Sequence, residues 1–127
     1  AIMMKNLNQP MKFKLYEKSH LKSIFLKNVS RKLNLNTEVI EGDIFERNNL
    51  RSETVIGRAF KPLHVVLELM NKNFSKYKNL ILFMGKNGKQ TLNDAFNQWD
   101  FQYKEKKSLT NEDSFLLKIS NLKRKRK

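Results

Sequence analysis

With 127 residues, 39% of them hydrophobic and 10% aromatic, the chain has the size and composition of one globular domain, which excludes disorder throughout. Lysine and arginine number 26 against 12 aspartates and glutamates, a net charge of +14, so a polyanionic partner is expected: nucleic acid first, an anionic membrane surface as the rival, and biased Lys- and Asn-rich composition as the bland alternative. The absence of cysteine removes disulfides, thiolate zinc sites and a cysteine nucleophile.

His20 and His64 are far apart and lack a carboxylate at ligand spacing, so both read as helix-start residues and no metal is expected. The longest apolar runs are too short to span a bilayer, and residues 1–6 do not form a signal peptide. The expectation is a soluble, cytoplasmic protein without a membrane partner.

In chain order, residues 1–8 read as the last turns of a helix, with Ile2, Met3 and Leu7 apolar and Asn6, Asn8 and Pro10 ending it. A domain rarely begins inside a helix, so something upstream is expected to be missing. Lys12 to Glu17 alternates, with Phe13 and Leu15 on one face, and predicts a strand that ends in an acid. Ser19 caps a helix in which Leu21, Ile24, Phe25, Val29 and Leu33 recur at helical spacing and are expected to face inward. Thr37 to Ile40 is a second strand, Glu41 to Glu46 a turn, and Arg47 to Glu53 a polar loop.

Thr54 to Leu63 organises the chain. It reads as a buried strand that breaks at Gly57, offers a cation at Arg58 and an aromatic ring at Phe60, and starts a helix at Pro62. That helix runs to about Asn73 with Leu63, Val66, Leu67 and Met70 inward. Asn79 to Met84 shows no polar alternation and predicts a central parallel strand covered by helices on both faces. Thr91 to Trp99 is a further helix. Phe101 to Lys106 and Ser114 to Ile119, joined by the turn-rich Ser108 to Asp113, suit a closing antiparallel hairpin. The alternation predicts an α/β fold with a mainly parallel, Rossmann-like sheet in residues 1–122, and a basic tail in 123–127.

In open α/β sheets ligands gather at the carboxyl ends of the strands. Glu17 at such an end can accept hydrogen bonds from both hydroxyls of a ribose, although a glutamate followed by a lysine is also ordinary solvated surface. Ile44 and Phe45 can offer a flat apolar surface to an adenine ring, or serve as two core residues after a strand. Arg58 needs an anionic or planar partner, which a ligand or a salt bridge with Glu41 or Glu46 would supply. Gly85-Lys86-Asn87-Gly88 has two residues between its glycines where a phosphate loop needs four, so it reads as a tight turn. No Ser/His/Asp set or supported carboxylate pair appears, so hydrolase chemistry has no basis.

Val55-Ile56-Gly57-Arg58-Ala59-Phe60-Lys61-Pro62-Leu63 resembles the S-R-A-F segment of the bacterial RsmG family, also called GidB. Lys14 to Ser19 and Lys22-Ser23-Ile24-Phe25-Leu26 are similar to that family's acidic strand end and its K-x-x-F-L helix. Gly42 to Glu46 stands in the place of its G-R-A-E-E turn, Leu82 to Gly85 in that of L-K-G, and Phe115 to Ile119 in the final hairpin. The chain departs from the pattern at Gly57 for Ser, at Asp43-Ile44-Phe45 for Arg-Ala-Glu, and at Met84 for Lys.

The resemblance implies an S-adenosylmethionine-dependent methyltransferase fold, truncated at the N-terminus ahead of the glycine-rich loop. It implies transfer of a methyl group to N7 of a guanine in small-subunit rRNA, with that rRNA or the ribosomal subunit as partner and a monomeric state. It also implies that Glu17 lies near the ribose of S-adenosyl-L-methionine, Ile44 and Phe45 near its adenine, and Arg58 in the cofactor or guanine pocket. The alternative is a non-catalytic basic module that binds RNA or ribosomes through charge.

Overall fold

The computed structural model describes residues 12–58, 62–107 and 114–125. The expected opening helix, the ring of Phe60, the turn Ser108 to Asp113 and the last two residues of the basic tail lie outside the described residues. The chain divides into two compact units, the first ending at Arg47 and the second beginning at Asn48.

The first unit is a strand–helix–strand motif: β1 (Phe13–Glu17), α1 (His20–Lys32) and β2 (Thr37–Glu41), followed by a single 3-10 turn, Ile44–Glu46. β1 and β2 are parallel and in step, from Phe13 opposite Thr37 to Glu17 opposite Glu41. Ser19 caps α1 as its sequence predicts, its hydroxyl accepting from the Lys22 N–H. Arg31 and Lys32 occupy the last turn, where cations suit the helix dipole. Asn34 ends the helix in the left-handed region at φ 51°, a conformation that asparagine tolerates.

The inward stripe expected of α1 is a correction. Leu21 is 79% exposed and Phe25 65%, Ile24 and Leu33 are also exposed, and the residue buried in this helix is Ser23. Ser23 satisfies its hydroxyl on the His20 carbonyl at 2.8 Å. The helix instead turns inward the face of Ser23, with Leu26 and Ser30 half-buried three and seven residues on, so the apolar stripe lies on its exposed side.

The second unit holds β3 (Leu50–Arg51), β4 (Thr54–Arg58), α2 (Leu63–Lys72), β5 (Phe74–Lys76), β6 (Asn79–Met84), α3 (Gly88–Ala95), β7 (Trp99–Lys107) and β8 (Phe115–Arg124). β3, a strand the sequence shows only as loop, pairs in parallel with β5. The main sheet has the order β4-β6-β8-β7, with β4 and β6 parallel and the other two pairs antiparallel. β6 is therefore central, and β7 and β8 form the expected hairpin. β8 continues through Lys123 and Arg124, the first two residues of the stretch read as a tail.

The core lies on one face of this sheet. Leu80 and Leu82 of β6 stand beside Ile119 and Leu117 of β8, all buried, under Leu63, Val66, Leu67 and Met70 of α2 and Leu92 and Ala95 of α3. Burying each of these larger side chains stabilises the unit by roughly 1.5–3 kcal/mol. Trp99 is 1% exposed, with the Arg124 guanidinium 4.9 Å from its ring centroid and ion-paired to Glu68. The cover expected on the other face of β6 is also a correction: Phe83 is 45% exposed and Ile56, beside Ile81 in the register, 58%. An uninterrupted apolar strand here marks the centre of a mixed sheet, with helices over one face.

Gly88 opens α3, and a Cβ at this position would lie 2.8 Å from both Met84 Cβ and the Phe115 ring. A Cβ at Gly85 would meet nothing within 4 Å. Gly88→Ala is expected to destabilise the unit by about 1–3 kcal/mol through overpacking, and Gly85→Ala to change it by no more than about 0.5 kcal/mol; paired thermal melts check the contrast.

Burial raises the pKa of the Tyr77 hydroxyl above its ordinary value of 10.0. The folded state therefore holds this proton more tightly than the unfolded chain. The contribution is fully present below the unfolded pKa and is lost as pH rises through and above it. Tyr77→Phe should remove that part of the alkaline loss, read as a smaller fall in melting temperature above pH 10 than in the unaltered chain.

Candidate functional site at the strand ends

Parallel strands in step deliver their carboxyl ends to the same edge, and in the first unit that edge carries Glu17 opposite Glu41. One oxygen of the Glu17 carboxylate accepts from the Ser19 N–H at 3.0 Å, so the side chain is held at the mouth of α1. The chain after β2 folds back against the same place, because the Gly42 N–H donates to the Glu17 carbonyl at 2.9 Å. Gly42 has φ 146°, and a Cβ there would lie 3.3 Å from the Arg47 guanidinium. The backbone conformation favours glycine here, whereas the end of the Arg47 side chain could shift to admit a Cβ.

Asp43 then caps the short turn, its carboxylate accepting from the Phe45 N–H at 3.0 Å. Ile44 and Phe45 are half-buried in this turn. The structure thus brings together three residues singled out in the sequence, Glu17, Ile44 and Phe45, on one edge of one unit. Arg58 belongs to the second unit, where it closes β4 opposite Phe83.

Neighbours that the sequence did not single out complete the edge of the first unit. His20 Nδ1 lies 2.6 Å from the Glu41 carboxylate, Lys18 is 3.7 Å from that of Asp43, and the Arg47 guanidinium sits 5.7 Å from the Tyr16 ring centroid. Each of these contacts joins β1, the short link after it or the start of α1 to residues in or after β2. The edge is therefore knitted by charge as well as by backbone, and it presents a carboxylate beside a flat apolar turn. An acceptor of that kind suits vicinal hydroxyls, and half-buried Ile44 and Phe45 suit a planar heterocycle.

Gly85 to Gly88 is the expected tight turn, closed by the Gly88 N–H on the Gly85 carbonyl at 2.9 Å, with Lys86 exposed. Among the described residues no three His, Asp or Glu side chains gather as a metal site, and no helix is long and apolar enough to cross a membrane.

The sequence pattern of the family described as GidB, rRNA small subunit methyltransferase G, matches residues 1–116. A ribosomal RNA small subunit methyltransferase G from Pelagibacter ubique is 55% identical over 125 residues, covering 98% of this chain and 59% of its own length. The chain thus spans about three fifths of the length of that relative. Among solved structures, a protein of Pyrococcus horikoshii OT3 superposes with a TM-score of 0.70 at 13% identity, covering 93% of this chain and 74% of its own. M. capricolum TrmK, solved with the natural cofactor product S-adenosyl-homocysteine, superposes at 0.58 and 15% identity, covering 93% of this chain and 54% of its own. These likenesses give the fold: α/β and Rossmann-like. With nine tenths of its length inside the family pattern and more than half its residues shared with a named member, the chain belongs to the rRNA small subunit methyltransferase G family.

Proposed function

We propose that the chain is part of an S-adenosyl-L-methionine-dependent methyltransferase that modifies N7 of a guanine in small-subunit rRNA. The observation that carries this reading is the edge of the first unit: Glu17 fixed by the Ser19 N–H, with the Ile44–Phe45 turn fastened behind it through Gly42. This donor and acceptor set fits a nucleoside cofactor. The Glu17 carboxylate keeps acceptor capacity for the two ribose hydroxyls, and Ile44 and Phe45 flank the adenine. Bound S-adenosylmethionine supplies an electrophilic methyl group on a sulfonium centre. Arg58, in the second unit, is assigned to the cofactor or guanine pocket by the family resemblance alone.

This chemistry needs no catalytic base. Guanine N7 carries a lone pair outside the aromatic sextet and can attack a methyl group without first losing a proton. Placement and desolvation then account for most of the rate, and no side chain has to move a proton. The target base must be reachable, which favours an unpaired or flipped guanine, and the net charge of +14 suits contact with rRNA phosphates. We also place the chain in one partial methyltransferase domain that includes all of β8, with Lys123 and Arg124 in the strand rather than in a basic tail, acting as a monomer in the cytoplasm.

Joining the amino-terminal portion of the Pelagibacter ubique relative ahead of residue 1 is expected to give a chain that transfers a labelled methyl group to small-subunit rRNA, recovered as 7-methylguanosine by nucleoside mass spectrometry. Label on another base or none at all would remove the assignment. In that fused chain Glu17→Ala should raise KM for S-adenosylmethionine about tenfold or more, since a hydrogen bond to a charged group contributes about 1.5–3 kcal/mol. An unchanged KM would take Glu17 out of the ribose role. Residues 1–127 alone should show no tight S-adenosylmethionine binding by isothermal titration, and a strong saturable heat would contradict that.

A further inference from the structure

The second unit carries a solvent-open hollow, here called the cavity, of about 780 Å3, whose lining includes Arg51, Glu53, Lys76, Tyr77, Lys78 and Asn121. It lies beside Thr54 and Asn79, the residues that open β4 and β6, and so at the opposite end of these strands from Arg58 and Met84. Backbone bonds fix its rim. The Ser52 N–H donates to the Lys76 carbonyl at 3.0 Å, and the N–H groups of Lys78 and Asn79 donate to the Glu53 carbonyl at 2.9 and 3.0 Å.

This scaffold forces cations together. Arg51 and Lys76 are register partners across β3 and β5, a side-by-side placement of like charge that weakens a strand pair. Lys78 adds a third cation two residues on. The ion pairs found among the described residues involve other side chains, and the cavity itself brings three cations to one carboxylate, Glu53. Tyr77 is half-buried, its ring edge-on to Phe74 at 6.1 Å, and Asn121 adds a neutral amide.

We propose that this cavity is a docking site for single-stranded RNA, taking one nucleotide unit with its phosphate against Arg51, Lys76 and Lys78 and its 2′-hydroxyl toward Glu53 and Asn121. The proposal rests on the rRNA reading above. A hollow of this volume, open to solvent, admits one nucleotide unit of a strand. A carboxylate among cations is suited to ribose hydroxyls, the feature that separates RNA from DNA. Its position at the amino ends of the strands makes it a holding contact away from Arg58.

The test is binding of the whole chain to a short fluorescein-labelled single-stranded RNA, followed by anisotropy across a salt series. Replacing Arg51, Lys76 and Lys78 together by Gln should weaken binding and reduce the slope of log K against log salt by about 2, three contacts at roughly 0.7 each on a single strand. The same change at Lys104, Lys106 and Lys118, exposed on β7 and β8, should reduce it less. If both triple variants lose equally, or the cavity variant keeps the full slope, this site falls while the rRNA reading stands. An unaltered chain that binds no RNA overturns both. Acetylation mapping of the unaltered chain removes any dependence on folding of the variants: bound RNA should protect Lys76 and Lys78 more than Lys104 and Lys118, and equal labelling would overturn the site.

Discussion

Of the three parallel pairs among the described residues, β1 with β2 and β4 with β6 run in step without a shift, and much else in the chain follows from that register. In a parallel pair without slippage the strands finish together, so whatever follows each strand starts from a common edge. In the first unit this sets Glu17 beside Glu41 and obliges both the entry to α1 and the turn after β2 to leave from one place. A slip of one residue in β2 would turn every β2 side chain to the opposite face and break the hydrogen bond from Gly42 to the Glu17 carbonyl. The geometry that suits a nucleoside is therefore set by the pairing and lost with it.

In the second unit the same register does different work. Leu80 and Leu82 are carried onto the face that α2 and α3 cover, beside Leu117 and Ile119 of the antiparallel neighbour. Close approach of α3 to that sheet needs Gly88, because the Phe115 ring and Met84 already occupy the space a side chain would take. The cations that line the cavity come from the opposite end of the strands, where the short β3–β5 pair sets Arg51 against Lys76. An aligned sheet thus has two chemically distinct ends: a cation-rich one where β4 and β6 begin, and the one where they finish at Arg58 and Met84.

Much of this was legible in the residues. Ser19 announced the start of α1, the unbroken run Leu80 to Met84 announced the centre of the sheet, and Glu17 with Ile44 and Phe45 stood out by type and position. The buried face of α1 was not legible. Helical spacing identifies an apolar stripe but not the face that the helix turns inward, which here is that of Ser23, and Leu21 and Phe25 lie on the exposed side. β3 was missed because two residues carry no periodicity, and it exists only through pairing with β5. The bond from Glu17 to Ser19 and the contact of Arg47 with Tyr16 depend on tertiary placement that spacing does not encode. The cavity escaped notice because Arg51 and Lys76 are separated in sequence and read singly as solvated charges.

The nucleoside is proposed to sit on the edge formed by Glu17 and the turn after β2. Hydrogen–deuterium exchange on the chain fused to its relative's amino-terminal portion, with and without S-adenosyl-homocysteine, tests this directly. Slowed exchange is expected at the amides of Ser19 and of Gly42 to Glu46. Exchange unchanged there, with protection confined to the unit beginning at Asn48, would contradict it.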